Sequence, residues 1–135
     1  MANQLAFLLN LGFERTATWH RGLSGKLSCR IAQHADKREI LYAFVVGEEV
    51  TYIGKSTRTL KQRMYGYQNP GPTQRTNIKN HAKIIEALDQ GKTVGIYVFV
   101  QREPVVYRGI PVNLAAGLED VLIEWLRPPW NSLGK

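Results

Sequence analysis

Glu119 and Arg63 both stand on faces that the surrounding sequence marks as apolar. Glu119 has Ala115, Leu122 and Ile123 at i−4, i+3 and i+4, with Leu118 beside it. Asp120 and Glu124 fall on the solvent side with Arg127. A carboxylate on a core-facing stripe is costly unless it meets a cation or a metal ion. Arg63 shares its stripe with Leu60, Met64 and Tyr67. Its guanidinium must therefore snorkel outward or enter a cleft and meet an anion. A structural ion pair between Arg63 and Glu119 is the plainer alternative. Tyrosines sharpen the pattern. Tyr42 interrupts a run of hydrocarbon side chains, Tyr52 ends the next β-prone segment, and Tyr67 lies four residues after Arg63 on the same helical face. With Lys55, these groups fall toward the end of one small sheet, a concentration of polar chemistry that packing alone does not require.

Other apparent motifs fail on spacing. Gly47 and Gly54-Lys55-Ser56 enclose six residues, whereas a phosphate-binding loop needs four. Gly22-Leu23-Ser24-Gly25-Lys26 does not make a nucleophile elbow. His20, His34 and His81 sit in different segments at no metal-ligand spacing, and hydrogen-bonded or surface histidine is the reading for each. Cys29 is the single cysteine, so neither a disulfide nor a zinc cluster is expected.

The elements that must position these groups are legible in outline. Ala2–Leu11, with Leu5, Phe7, Leu8 and Leu9, reads as a short helix closed by Gly12. Thr16–His20 and Lys26–Ile31 are short β-prone pieces around the turn Arg21-Gly22-Leu23-Ser24-Gly25. Ile40–Val46 is continuously apolar, which predicts a strand covered on both faces. Gly47-Glu48-Glu49 turns it into a second strand, Val50–Gly54, to complete a hairpin. Helices follow at Thr59–Gln68 and Thr76–Gln90, the latter closed by Gly91. Thr93–Val100 is a third strand, with Pro104–Tyr107 pairing with it or running alongside. Asn113 caps a last helix from Leu114 to about Leu126, which Pro128-Pro129 must end. The sum is an α+β domain.

At 135 residues and 44% hydrophobic, the chain fits one globular domain. Its longest apolar run is far short of the ~20 residues a membrane span needs, and Met1 opens no secretory signal pattern. A reducing, cytoplasmic compartment is the expectation. Eighteen Lys and Arg oppose 11 Asp and Glu, a net charge of +7. The excess is concentrated: Lys55 to Lys92 holds eight cations against Glu86 and Asp89. Such a sector attracts polyphosphate, and nucleic acid is its commonest partner, although a solvated face that only maintains solubility has the same composition.

Taken in order, Ile40-Leu41-Tyr42, then after nine residues Tyr52-Ile53-Gly54-Lys55-Ser56, then Arg63 with Tyr67, then Glu119 and Pro128-Pro129-Trp130-Asn131, resemble the GIY-YIG nuclease superfamily. The resemblance runs from about Ile40 to Asn131, about two-thirds of the chain. It departs in two places: Ile40 replaces the first glycine, and one extra residue separates Gly54 from Arg63. The compact domain, the lysine after Tyr-Ile-Gly, tyrosine rather than histidine after the arginine, and the excursion Arg102–Asn113 are most like the restriction-endonuclease branch.

The resemblance implies a small three-stranded antiparallel sheet, hairpin plus third strand, flanked by helices. Residues 1–39 would be an N-terminal extension and residues 40–135 the nuclease domain. It implies divalent-metal-dependent hydrolysis of phosphodiesters in double-stranded DNA, with a non-cleaving nucleic-acid-binding module of the same fold as the alternative. Glu119 would hold one Mg²⁺ or Mn²⁺ per active site, its remaining positions filled by water and phosphate oxygens. Arg63 would hold the phosphate and stabilise its developing charge. Tyr42 would position or deprotonate the attacking water, which as a base requires cationic neighbours such as Lys55 and Arg63. Tyr52 and Tyr67 would orient water or phosphate, while Gly54 and Asn131 would be structural beside the site. Arg58, Lys61, Arg75, Lys79 and Lys83 from the basic sector would contact DNA, with the protein nucleoid-associated when bound. A restriction role requires two copies to cut both strands, which a homodimer would supply.

Overall fold

The computed structural model describes residues 3–132, and they form eleven elements. Helix α1 (Gln4–Leu11) leads into strands β1 (Phe13–Arg21), β2 (Leu27–Ile31), β3 (Ile40–Val46) and β4 (Glu49–Ser56). Helices α2 (Leu60–Gln68) and α3 (Arg75–Asp89) follow, then β5 (Val94–Phe99), β6 (Val105–Tyr107), β7 (Ile110–Val112) and α4 (Leu114–Leu126). Helix starts are set by capping side chains. The Asn113 side chain accepts a hydrogen bond from the Ala116 amide, and Thr59 and Gln62 form a reciprocal capping box at α2. Gly12 ends α1 at φ +116°, a conformation that side chains other than glycine's resist.

The main sheet is antiparallel and five-stranded, in the order β2-β1-β5-β3-β4. This overturns the expected three-stranded sheet. The hairpin and third strand do lie together as β5-β3-β4, but β1 pairs along β5 and carries β2 outward, so residues from the first 39 supply two of the strands. The β-prone piece expected at Thr16–His20 extends to Phe13–Arg21 and finds a partner about 80 residues away, a pairing that local sequence does not encode, while the piece expected at Lys26–Ile31 is the strand Leu27–Ile31, paired with β1. Pro104–Tyr107 is corrected as well. Val105–Tyr107 pairs with Ile110–Val112 in a separate two-stranded ribbon, all of whose residues are exposed. Its turn residues Arg108 and Gly109 have φ of +50° and +84°, the left-handed pair that a two-residue hairpin requires.

Helices cover both faces. On one, Tyr42, Phe44, Ile96 and Val98 pack against Leu60, Met64 and Tyr67 of α2 and Ile84 and Ala87 of α3. On the other, Leu41, Ala43, Val45 and Ile53 pack against Leu8 of α1 and Leu122 of α4. Strand β3, central and covered twice, is buried along almost its whole length. Strand β4 is one edge of the sheet, and α4 and α1 pack against it. No helix among the described residues is long and apolar enough to cross a membrane.

Candidate active site

Alternation along β4 distributes the polar groups about the sheet edge. Tyr52 and Gly54 stand opposite Phe44 and Tyr42, on the α2–α3 face, while Lys55 stands opposite Leu41, on the α4 face. The site therefore straddles one edge strand, with a tyrosine cluster on one side and Glu119 on the other. Gly54 is required by the rings. A methyl group there would come within 2.8 Å of the Tyr42 hydroxyl and of a Tyr52 ring carbon. We expect Gly54→Ala to displace both rings and cost about 1–3 kcal/mol of stability, read from denaturant unfolding.

Tyr42 and Tyr67, wholly buried, bring their hydroxyls to 2.6 Å, and Arg63 Nη2 donates to the Tyr67 oxygen at 2.7 Å. The Arg63 guanidinium lies 4.1 Å from the centre of the Tyr67 ring. His81 Nδ1 meets the Tyr67 carbonyl at 2.7 Å, fixing the end of α2 against α3. The chain Arg63–Tyr67–Tyr42 is thus a hydrogen-bonded series running from the cleft into the core. Burial pushes all three phenols up: Tyr42 despite the opposing charge of Arg63, Tyr52 with a further push from Tyr67, and Tyr67 with one from Tyr42. The neighbouring cations do not lower Tyr42, because desolvation outweighs them, and the phenols stay protonated.

Glu119 lies across β4 with its side chain 18% exposed, and its ion pair is with Lys55 at 3.7 Å rather than with Arg63. Burial raises its carboxyl above the usual range, and Lys55 opposes the shift. No group of three or more histidines, cysteines or acids is gathered among the described residues. A single largely buried carboxylate suits Mg²⁺, which keeps water and takes phosphate oxygens, better than zinc, whose sites use three or four protein ligands.

Of the expected DNA contacts, Arg58 and Arg75 line one hollow of about 540 Å³ together with Lys55 and Arg63. Lys61 and Lys79 are exposed, and Lys83 lies by a different hollow beside Glu86 and Trp130. Asn131 pairs with the open edge of β4, its Oδ1 accepting from the Ile53 amide at 3.0 Å and its Nδ2 donating to the Ile53 carbonyl at 2.9 Å. Sequence reasoning missed Thr57, Gln62, Gly66, Gln74, Thr76 and Asn77, which with Ser56 complete the hollow. The available signal was the run of polar residues opening α3. Gly66 matters because a Cβ there would crowd Asn77 Nδ2 and Arg63 Nη1.

The fold defines a class: it is shared with solved DNA endonucleases. Bacteriophage T4 EndoII, solved as a glutamate-to-alanine mutant, superposes with a TM-score of 0.73 at 19% identity, over 98% of this chain and 100% of the phage chain. The restriction endonuclease HPY188I, solved in complex with product DNA, superposes with a TM-score of 0.56 at 18% identity, over 91% of this chain and 78% of the enzyme's. At these identities the likeness is one of fold. No family model matches the sequence, and no curated protein sequence does.

Proposed function

We propose that the protein is a divalent-metal-dependent endonuclease of GIY-YIG type that hydrolyses phosphodiesters in double-stranded DNA. One observation carries this reading: on an endonuclease fold, the Arg63–Tyr67–Tyr42 chain ends at a cation-lined hollow beside β4, and Lys55, which also lines that hollow, pairs with the largely buried Glu119 across the strand. Glu119 would hold one Mg²⁺ or Mn²⁺, which when bound would supply positive charge to the phosphate undergoing hydrolysis. Arg63 commits one N–H to Tyr67 and offers others to the phosphate oxygens, where charge develops as water attacks phosphorus and the bond to the 3′ oxygen breaks. The products are a 5′ phosphate and a 3′ hydroxyl. Tyr52, protonated and half-buried, orients water or phosphate; Tyr67, as buried as Tyr42, holds the Arg63 guanidinium in place, and Lys55 supplies positive charge beside Glu119.

Nicking of supercoiled plasmid tests the reading: conversion in Mg²⁺ or Mn²⁺ and none in EDTA is expected. Retained DNA binding with no cutting in either metal selects the non-cleaving module instead. Discrete double-strand fragments mark a restriction-type enzyme acting as a homodimer, whereas dispersed single-strand nicks set that role aside.

Tyr42 acts as a positioning residue in this scheme, because its hydroxyl is buried and spent on Tyr67. Tyr42→Phe removes that hydrogen bond while keeping the ring, so about 0.5–1.5 kcal/mol of stability is lost. Misplacement of Tyr67 and Arg63 lowers single-turnover cleavage by about 10²-fold. The pH profile keeps its shape, since no phenol titrates near neutrality. Disappearance of an alkaline rise in the variant would instead make Tyr42 the base.

A further inference from the structure

The hollow between α2 and α3 is larger than one phosphate and differs in chemistry from the rest of the surface. Arg58, Arg63 and Arg75 line it, with Lys55 at its border and Gln62 and Asn77 beside them, and no carboxylate lines it. Among the described residues, Arg58, Arg63 and Arg75 form no ion pair. Like charges around one hollow repel, and an anion seated among them relieves that repulsion. Lys55 and Arg63 belong to the catalytic edge, whereas Arg58 lies in the β4–α2 loop and Arg75 opens α3. The hollow is thus continuous with the catalytic edge but extends beyond it.

We propose that this hollow is a second phosphate subsite, taking the phosphate–sugar unit next to the scissile phosphate on the cut strand, with Arg58 and Arg75 as its dedicated cations. The inference rests on the endonuclease reading for the word scissile. Its chemistry, a backbone phosphate held by two arginines, stands on the lining alone. Arginine suits the task because its planar fork spans two phosphate oxygens. The volume of about 540 Å³ accommodates the attached sugar as well. Arg63 then stabilises the reacting group while Arg58 and Arg75 fix which bond is presented to it.

The experiment has two arms on the full chain. In EDTA, duplex affinity is measured against salt for wild type, Arg58→Ala and Arg75→Ala. Each exposed arginine is expected to flatten the log–log slope by about 1, and unchanged slopes overturn the proposal. In Mg²⁺, duplexes carrying one neutral methylphosphonate are cut and the ends mapped bond by bond. Wild type is expected to lose cutting about tenfold at one bond adjacent to the modified linkage, besides the modified linkage itself. The double variant Arg58→Ala/Arg75→Ala should cut that adjacent bond as readily as distant ones. Equal suppression in wild type and variant overturns the subsite. Flattened slopes without cutting in any protein instead sink the nuclease reading and leave the phosphate contacts standing.

Discussion

On the proposed metal role, Glu119→Gln is expected to abolish metal-dependent cleavage and to leave the melting temperature at neutral pH unchanged or raised. The substitution removes the carboxylate proposed to hold the cation, several kcal/mol of charge stabilisation and so about 10³-fold or more in rate. The stability result follows from the sign of the titration. Burial raises the folded-state carboxyl above its unfolded value, against the smaller pull of Lys55. A group shifted this way favours folding below its unfolded pKa, and that contribution is lost as pH rises through the folded pKa. At neutral pH the ionised carboxylate is therefore kept at a cost, which glutamine removes. A structural ion pair requires the opposite: a lower melting temperature and intact cleavage. The same shift sets the acid limb of the wild-type rate. Cleavage falls as pH drops through a value above the usual carboxylate range, and more Mg²⁺ moves that limb to lower pH. Initial rates of plasmid nicking across pH at two metal concentrations, with thermal melts of both proteins, check all three statements.

Arg63→Ala lowers cleavage by about 10²–10³-fold, with DNA affinity reduced only modestly. Its guanidinium does two things that alanine cannot: it donates to Tyr67 at 2.7 Å and presents its other donors to the cleft. Burial alone would weaken the cation, but the phenols of Tyr42, Tyr67 and Tyr52 outweigh it, so full charge is kept at the site. Arg63→Lys restores little, because an ammonium is a point charge without the planar fork. Single-turnover cleavage and equilibrium binding measured together separate the two effects. Normal cleavage by the alanine variant with a much lower melting temperature would show that Arg63 only braces α2.

Local signals carried the site further than the sheet. The stripe Leu60, Met64, Tyr67 is the buried face of α2, and Arg63 lies at its rim because a long aliphatic stem lets a charge reach the cleft from an apolar face. Asn113 and the proline pair bounded α4, since capping and proline geometry act within a few residues. Strand partnership is different. Nothing in Phe13–Arg21 names Val94–Phe99 as its neighbour, and a bulge between Arg15 and Ala17 further blurs its alternation. The β6–β7 ribbon had a readable signal, Arg108-Gly109 between apolar residues, that Pro111 obscured. Arg58 and Arg75 are far apart in sequence and share a hollow only because α2 and α3 pack side by side, so charge counting found the sector and not the pocket.

The aromatic packing behind the tyrosines makes the protein its own optical reporter. The Phe44 ring lies 5.2 Å from Tyr67 and touches two indoles, Trp19 at 6.1 Å and Trp130 at 6.5 Å, whereas Trp125 is 68% exposed. Movement of Tyr67 as a phosphate engages Arg63 would pass through one ring to the buried Trp19 and the half-buried Trp130. Emission from Trp19 and Trp130 should therefore change on DNA engagement without an added label. Trp125→Phe removes the water-exposed background, and acrylamide, which reaches that indole first, distinguishes its light from theirs.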